Sequence, residues 1–164
     1  MARIITKALI GQQDLSLGTS TFTRATSTGG TQVLNQISGI TSVAGTADAT
    51  AQAANIGSTN LVAGASVTGG FYIVEIEINT TQIATNSSTR PIVTIGYTDA
   101  DSNQALSINV IGPDSHNSLT NPYYGRINLN AKAGVAITYS TTGYLSSGAT
   151  AMQYALHIRA LGPM

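Results

Sequence analysis

Residues 71–79 read Phe-Tyr-Ile-Val-Glu-Ile-Glu-Ile-Asn, and this alternation constrains the fold more than any other stretch of the chain. Successive side chains of a strand point to opposite faces. Tyr72, Val74, Ile76 and Ile78 therefore share one face, while Phe71, Ile73, Glu75, Glu77 and Asn79 share the other. One apolar face and one polar face describe a strand of an antiparallel sheet packed on a second layer. The closing segment Ala151–Leu161 repeats the pattern. Its Met152, Tyr154, Leu156 and Ile158 are expected inward, with Gln153, His157 and Arg159 outward.

Between these two segments the same signals recur. Pro91–Thr98 and Gln104–Ile111 read as strands joined by the turn residues Asp99, Asp101, Ser102 and Asn103. A loop rich in breakers follows, from Gly112 through Asn121 and Pro122, and then the strand-like Tyr124–Asn130 and Val135–Ser140. With 23 Thr, 17 Ile and 8 Val, the chain is stiffened towards extended structure. The expected fold is all-β: an antiparallel β-sandwich or jelly roll over residues 61–164.

Residues 1–60 differ in composition. They hold 33 Ala, Gly, Ser or Thr, and Phe22 as their single aromatic residue. Strand-length pieces at Arg3–Ile10, Thr19–Arg24 and Gln32–Ile37 are separated by Gly11, Gly18 and the Gly29-Gly30 pair. Asp48–Asn55 (DATAQAAN) reads as a short helix capped by Asp48, or as plain linker. We expect an extended N-terminal arm over 1–60 whose Val33, Leu34, Ile37 and Ile40 need a neighbour's surface to cover them. On this division, deleting residues 2–45 leaves the sandwich folded.

Charge narrows the function. Seven basic residues balance seven acidic ones, and charged residues make up only 9% of 164. Zero net charge without a basic run speaks against nucleic acid or an anionic membrane as partner. The absence of cysteine removes disulfides, thiol nucleophiles and Cys-ligated zinc. The longest apolar stretch near the N-terminus, Ala8–Ile10, is far below the roughly 7–15 residues of a signal-peptide core. Synthesis in a cytoplasm is expected, and the glycosylation patterns at Asn79 and Asn86 then carry no weight.

Each constellation with chemical potential has a plainer rival. Glu75 and Glu77 lie about 7 Å apart at Cα on one strand face, a spacing that paired glycosidase carboxylates can use. Nothing in the flanking sequence separates their acidities, so they read as a solvated or interface face. Asp99, Asp101 and Asn103 match the opening of a calcium loop, but Gln104 and Val110 stand where Gly and a bidentate Glu belong. A hairpin turn with acidic tips explains them. His116 and His157, with Asp114 as orienter, lack a nucleophile elbow, since Gly64-Ala65-Ser66-Val67 is followed by Thr68. His157 and Arg159 read instead as a polar contact within or between subunits. The glycine pairs at 29–30 and 69–70 lack the lysine and spacing of a phosphate loop. No catalytic, cofactor-binding or metal-binding residues are expected.

Three stretches, about a quarter of the chain, carry a resemblance. They are Leu17–Gly30 (LGTSTFTRATSTGG), Ala131–Tyr144 (AKAGVAITYSTTGY) and Ala149–Leu161 (ATAMQYALHIRAL). They resemble the small β-sandwich virion proteins of tailed bacteriophages. The resemblance implies a non-enzymatic structural subunit without a cofactor, located in the virion. It would decorate or cement the head, partnered by its own copies (dimer or homotrimer) and by the major capsid protein or another virion protein. The alternative within the same resemblance is a tail, spike or fibre component that binds host glycans through Tyr123, Tyr124 and Tyr144 in apical loops.

Overall fold

In the computed structural model, residues 43–115 and 117–164 are described in full, together with the strand pairing of residues 22–25 and 31–34. The described strands are β1 (Phe22–Ala25), β2 (Thr31–Leu34), β3 (Val43–Gln52), β4 (Thr59–Val62), β5 (Gly70–Gln82), β6 (Ser87–Arg90) and β7 (Ile92–Thr98), followed by β8 (Ala105–Ile111), β9 (Asp114–Ser115), β10 (Tyr123–Ala131), β11 (Ile137–Thr142), β12 (Leu145–Ser147) and β13 (Gln153–Leu161). Among the described residues the sole helical piece is a 3₁₀ turn at Gly64–Ser66.

The fold is an all-β antiparallel sandwich. One sheet has the order β10-β5-β13-β3 and faces a second of order β4-β11-β7-β8. The alternation in 71–79 is realised as the middle of β5, whose Tyr72, Val74, Ile76 and Ile78 are all buried. Met152, Tyr154, Leu156 and Ile158 of the closing segment point inward as expected, and β13 pairs with β5 along its length. The second sheet contributes Val93, Ile95, Ile137 and Tyr139 from its central strands. A three-stranded sheet, β12-β6-β9, is the third pairing of this unit.

Two expectations are corrected. Asp48–Asn55 is not a helix: Val43–Gln52 is a strand that pairs with β13, Leu156 opposite Ala49 and Arg159 opposite Thr46. Half-buried Ala47 and Ala49 alternate with exposed Thr46, Asp48 and Thr50, so a pairing partner overrides alanine's helical preference. A register shift between Tyr154 and Leu156 accommodates Ala51, whose φ of 53° marks a bulge. The division drawn at residue 60 also moves. The compact unit runs from Thr41 to Met164, because β3 and β4 are needed as edge strands of the two sheets. Met1–Ile40 forms the other unit, in which β1 and β2 pair antiparallel with Phe22 opposite Leu34. The expected strand Arg3–Ile10 lies outside the described residues.

Glycine allows the two sheets to close on each other at both sides. A Cβ on Gly45 of β3 would stand 2.1 Å from the Leu61 carbonyl oxygen of β4. On the opposite side, a Cβ on Gly125 of β10 would meet the side chains of Val110 and Ile111 from β8 at 2.8 and 2.9 Å.

Candidate functional site

The outward face of the β10-β5-β13-β3 sheet gathers half of the charged residues of the sandwich, together with His157. Strand register dictates the arrangement. Arg126 on β10 lies opposite Glu75 on β5, Glu75 opposite Arg159 on β13, and Arg159 opposite Thr46 on β3. One row along, Tyr124, Glu77, His157 and Asp48 follow one another in the same order. These residues line a shallow depression of about 520 Å³. Ten of the chain's charged residues fall within 43–164, and five of them (Asp48, Glu75, Glu77, Arg126 and Arg159) stand on this face. In a domain so poor in charge, that concentration defines a site.

The two rows differ in how far they satisfy themselves. His157 Nδ1 and Asp48 Oδ1 lie 2.7 Å apart, and Asn79 donates to Glu77 Oε1 at 2.6 Å. By contrast, Glu75, Arg126 and Arg159 make no hydrogen bond or ion pair within 4 Å among the described residues, although register sets them side by side. Tyr124 is 65% exposed at the rim, and Phe71 and Val43 expose apolar surface further along the same face. The arrangement offers alternating acceptors and donors over a flat area. Such a surface suits docking, with charge fixing register more than affinity.

Glu75 and Glu77 sit outward as read from the sequence, and so does His157. Asp48, expected to cap a helix, instead binds His157. The sequence alone also left Arg126 and Tyr124 unconnected to the glutamates. The signal that links them is a shared outward parity, visible only when β10 is aligned on β5.

The other candidates lie apart from this face. Asp99 Oδ1 accepts from the Ser102 backbone N–H and Ser102 Oγ, both at 2.8 Å, which holds the β7–β8 turn. Chiefly through that backbone bond, its carboxyl sits below the usual carboxylate range. Asp101 turns to a different partner, accepting from Asn130 Nδ2 at 3.0 Å. Asn103 takes the left-handed conformation, with φ of 58°. This is a hairpin turn, and no group of three or more His, Asp or Glu side chains gathers as metal ligands among the described residues.

Among the described residues, Asp114 has a partner at Arg90. The buried guanidinium of Arg90 also donates through Nη1 to the Asn121 carbonyl at 2.6 Å. The Tyr123 ring lies over that guanidinium at 5.8 Å. His116 lies outside the described residues. Of the aromatic residues expected in apical loops, Tyr123 and Tyr124 open strand β10. Tyr144 is half-buried, donates its hydroxyl to the Met152 carbonyl at 2.6 Å and packs on Tyr154. Burial pushes the Tyr154 hydroxyl above its ordinary acidity range, while it donates to the Ala54 carbonyl at 2.8 Å.

No protein-family model matches the sequence, and no curated protein matches it. Among solved structures, the chain is similar to the CBM22-1–GH10 modules of the N-terminal endo-1,4-beta-D-xylanase 10B of Clostridium thermocellum, solved with xylohexaose. Identity is 10% and the TM-score 0.39, over 90% of this chain and 25% of that one. The chain thus spans a quarter of its neighbour, and a likeness this distant assigns neither family nor activity. Among the described residues, no helix is long and apolar enough to cross a membrane.

Proposed function

We propose that the chain is a non-enzymatic structural subunit of a tailed-phage virion that decorates or cements the head. It would bind its own copies and a neighbouring virion protein such as the major capsid protein. One observation carries this reading. The sandwich is complete from Val43 onward, and contacts divide the chain so that Met1–Ile40 stands as a separate unit. That unit holds four charged residues and eleven Leu, Ile, Val or Phe. So short a segment buries too little apolar surface to fold alone, and a two-stranded hairpin is marginal in water. A neighbouring subunit supplies the missing surface. The nearly uncharged flanks of the sandwich suit the same purpose, because contacts between hydroxyl-rich surfaces avoid the desolvation of charges.

A tail or fibre component is the second reading, favoured by the exposure of Tyr123 and Tyr124 at one end of β10. Copy number separates the two. Quantitative mass spectrometry of purified particles should find on the order of hundreds of copies for a head protein and at most dozens for a tail part. A chain missing from particles altogether would end both readings.

A further inference from the structure

We infer that the outward face of the β10-β5-β13-β3 sheet docks on the same face of a second copy, across a two-fold axis parallel to the strands and midway between β5 and β13. Strand register makes this face self-complementary. Along that face, β5 presents Ile73, Glu75 and Glu77, and β13 presents Leu161, Arg159 and His157 in matching rows. A two-fold axis along the strands keeps every row level while exchanging β5 with β13. Ile73 then faces Leu161 of the second copy, Glu75 faces Arg159, and Glu77 faces His157. The outer strands exchange as well, which sets Tyr124 over Asp48 and Asn128 over Val43. Apolar meets apolar, and each acid of β5 meets a base of β13.

The competing dyad, perpendicular to the strands, keeps each strand over its own copy and reverses the rows. It would set Glu75 against Glu77 and Arg159 against His157, and like charges across an interface are strongly disfavoured. A closed two-fold pair also needs a self-complementary patch, which this face supplies. Two further observations agree. Glu75, Arg126 and Arg159 have no partner within 4 Å among the described residues, so their charges are free for a facing copy. Phe71 and Val43, both more than half exposed, extend the face with apolar surface. Facing sheets pack about 10 Å apart with strands some 30° off parallel. The pairs nearest the axis therefore stay in register, and the outer ones splay. Four strands and some nine residues of β5 give a footprint of roughly 500 Å² per copy, near the small end of specific interfaces, so the dimer dissociates readily.

This inference rests on the reading of the chain as a self-associating subunit, and the experiment separates the two. Full-length chain, Glu75→Arg, Arg159→Glu and an equimolar mixture of the two variants are compared by sedimentation over a concentration series. We expect the wild type to dimerise and each variant alone to dimerise at least about tenfold more weakly. The mixture should recover dimer, because the arginine introduced into one chain then faces the glutamate introduced into the other. Wild type that stays monomeric overturns both self-association and this interface. A trimer, or a dimer indifferent to both substitutions, overturns the interface while leaving self-association standing. If a charge reversal impairs folding, Ile73→Cys and Leu161→Cys chains provide a second route in this cysteine-free protein. A short bis-maleimide should join the two variants to each other in preference to joining either with itself, and equal yields overturn the dyad.

Discussion

Two buried polar side chains hold together parts of the sandwich that the hydrophobic core cannot. Arg90 is 2% exposed, yet its guanidinium is claimed by Asp114, the Asn121 carbonyl and the Tyr123 ring. The loop after β8 is thereby tied to β6. Removing the carboxylate strands a buried cation, and since Asp114 is one-third exposed the cost is discounted from the fully buried case. We expect Asp114→Asn to lose about 2–3 kcal/mol, read as a drop in thermal midpoint of roughly 3–5 °C per kcal/mol. Tyr154 is the second case, with a hydroxyl that serves the Ala54 carbonyl and lies 3.1 Å from Thr141 Oγ1. Tyr154→Phe should cost about 1–2 kcal/mol at neutral pH. Burial raises this hydroxyl above its ordinary value of 10.0, so its contribution is complete below that pH and is lost as pH rises through the folded value. Denaturant midpoints measured from pH 8 to 11 should fall less steeply in the phenylalanine variant. An unchanged alkaline slope would show that Tyr154 is not the group responsible.

Among the elements, the edges decide what the core alone leaves open. The two sheets approach closely at Gly45 and Gly125, but the two positions differ in what an added methyl would strike. At Gly45 it strikes the Leu61 carbonyl, which is backbone, and at Gly125 it strikes the ends of the Val110 and Ile111 side chains. Gly45→Ala should therefore destabilise by about 3 kcal/mol or more and Gly125→Ala by about 1. Equal thermal midpoints for the two variants would refute that closure. The β7–β8 turn gives an acid-side counterpart. Asp99 is held below 3.8 by the Ser102 backbone N–H, so its contribution is present above that pH and lost as pH falls below it. Asp99→Ala should lack that part of the acid limb, and Ser102→Ala should keep some of it, because the backbone donor remains.

The elements also show how far the sequence could be read. Strands β5, β7, β8, β10 and β13 were legible because their alternation or flanking turns are unambiguous. Strand β3 was not, because Ala-Asp-Ala-Thr-Ala-Gln carries a helical propensity that only pairing with β13 overrides. Strands β4, β6, β9 and β12 are too short and polar to announce themselves, and tertiary pairing defines them. The candidate site was half visible. Its glutamates and His157 were read as outward, but Asp48 and Arg126 joined them only through registers that no local pattern encodes.

At the scale of the whole molecule, the chain divides into two compact units, Met1–Ile40 and Thr41–Met164, and the proposed function assigns them different tasks. Removing residues 2–45, as the sequence suggested, would cut Val43, Ala44 and Gly45 out of β3. The informative truncation removes residues 2–41, and its binding to purified particles, measured beside that of the full chain, tests the proposed role most directly. We expect the shortened chain to unfold cooperatively and to self-associate like the full chain, but to attach to particles much more weakly. Attachment as tight as that of the full chain would contradict the role assigned to the N-terminal segment.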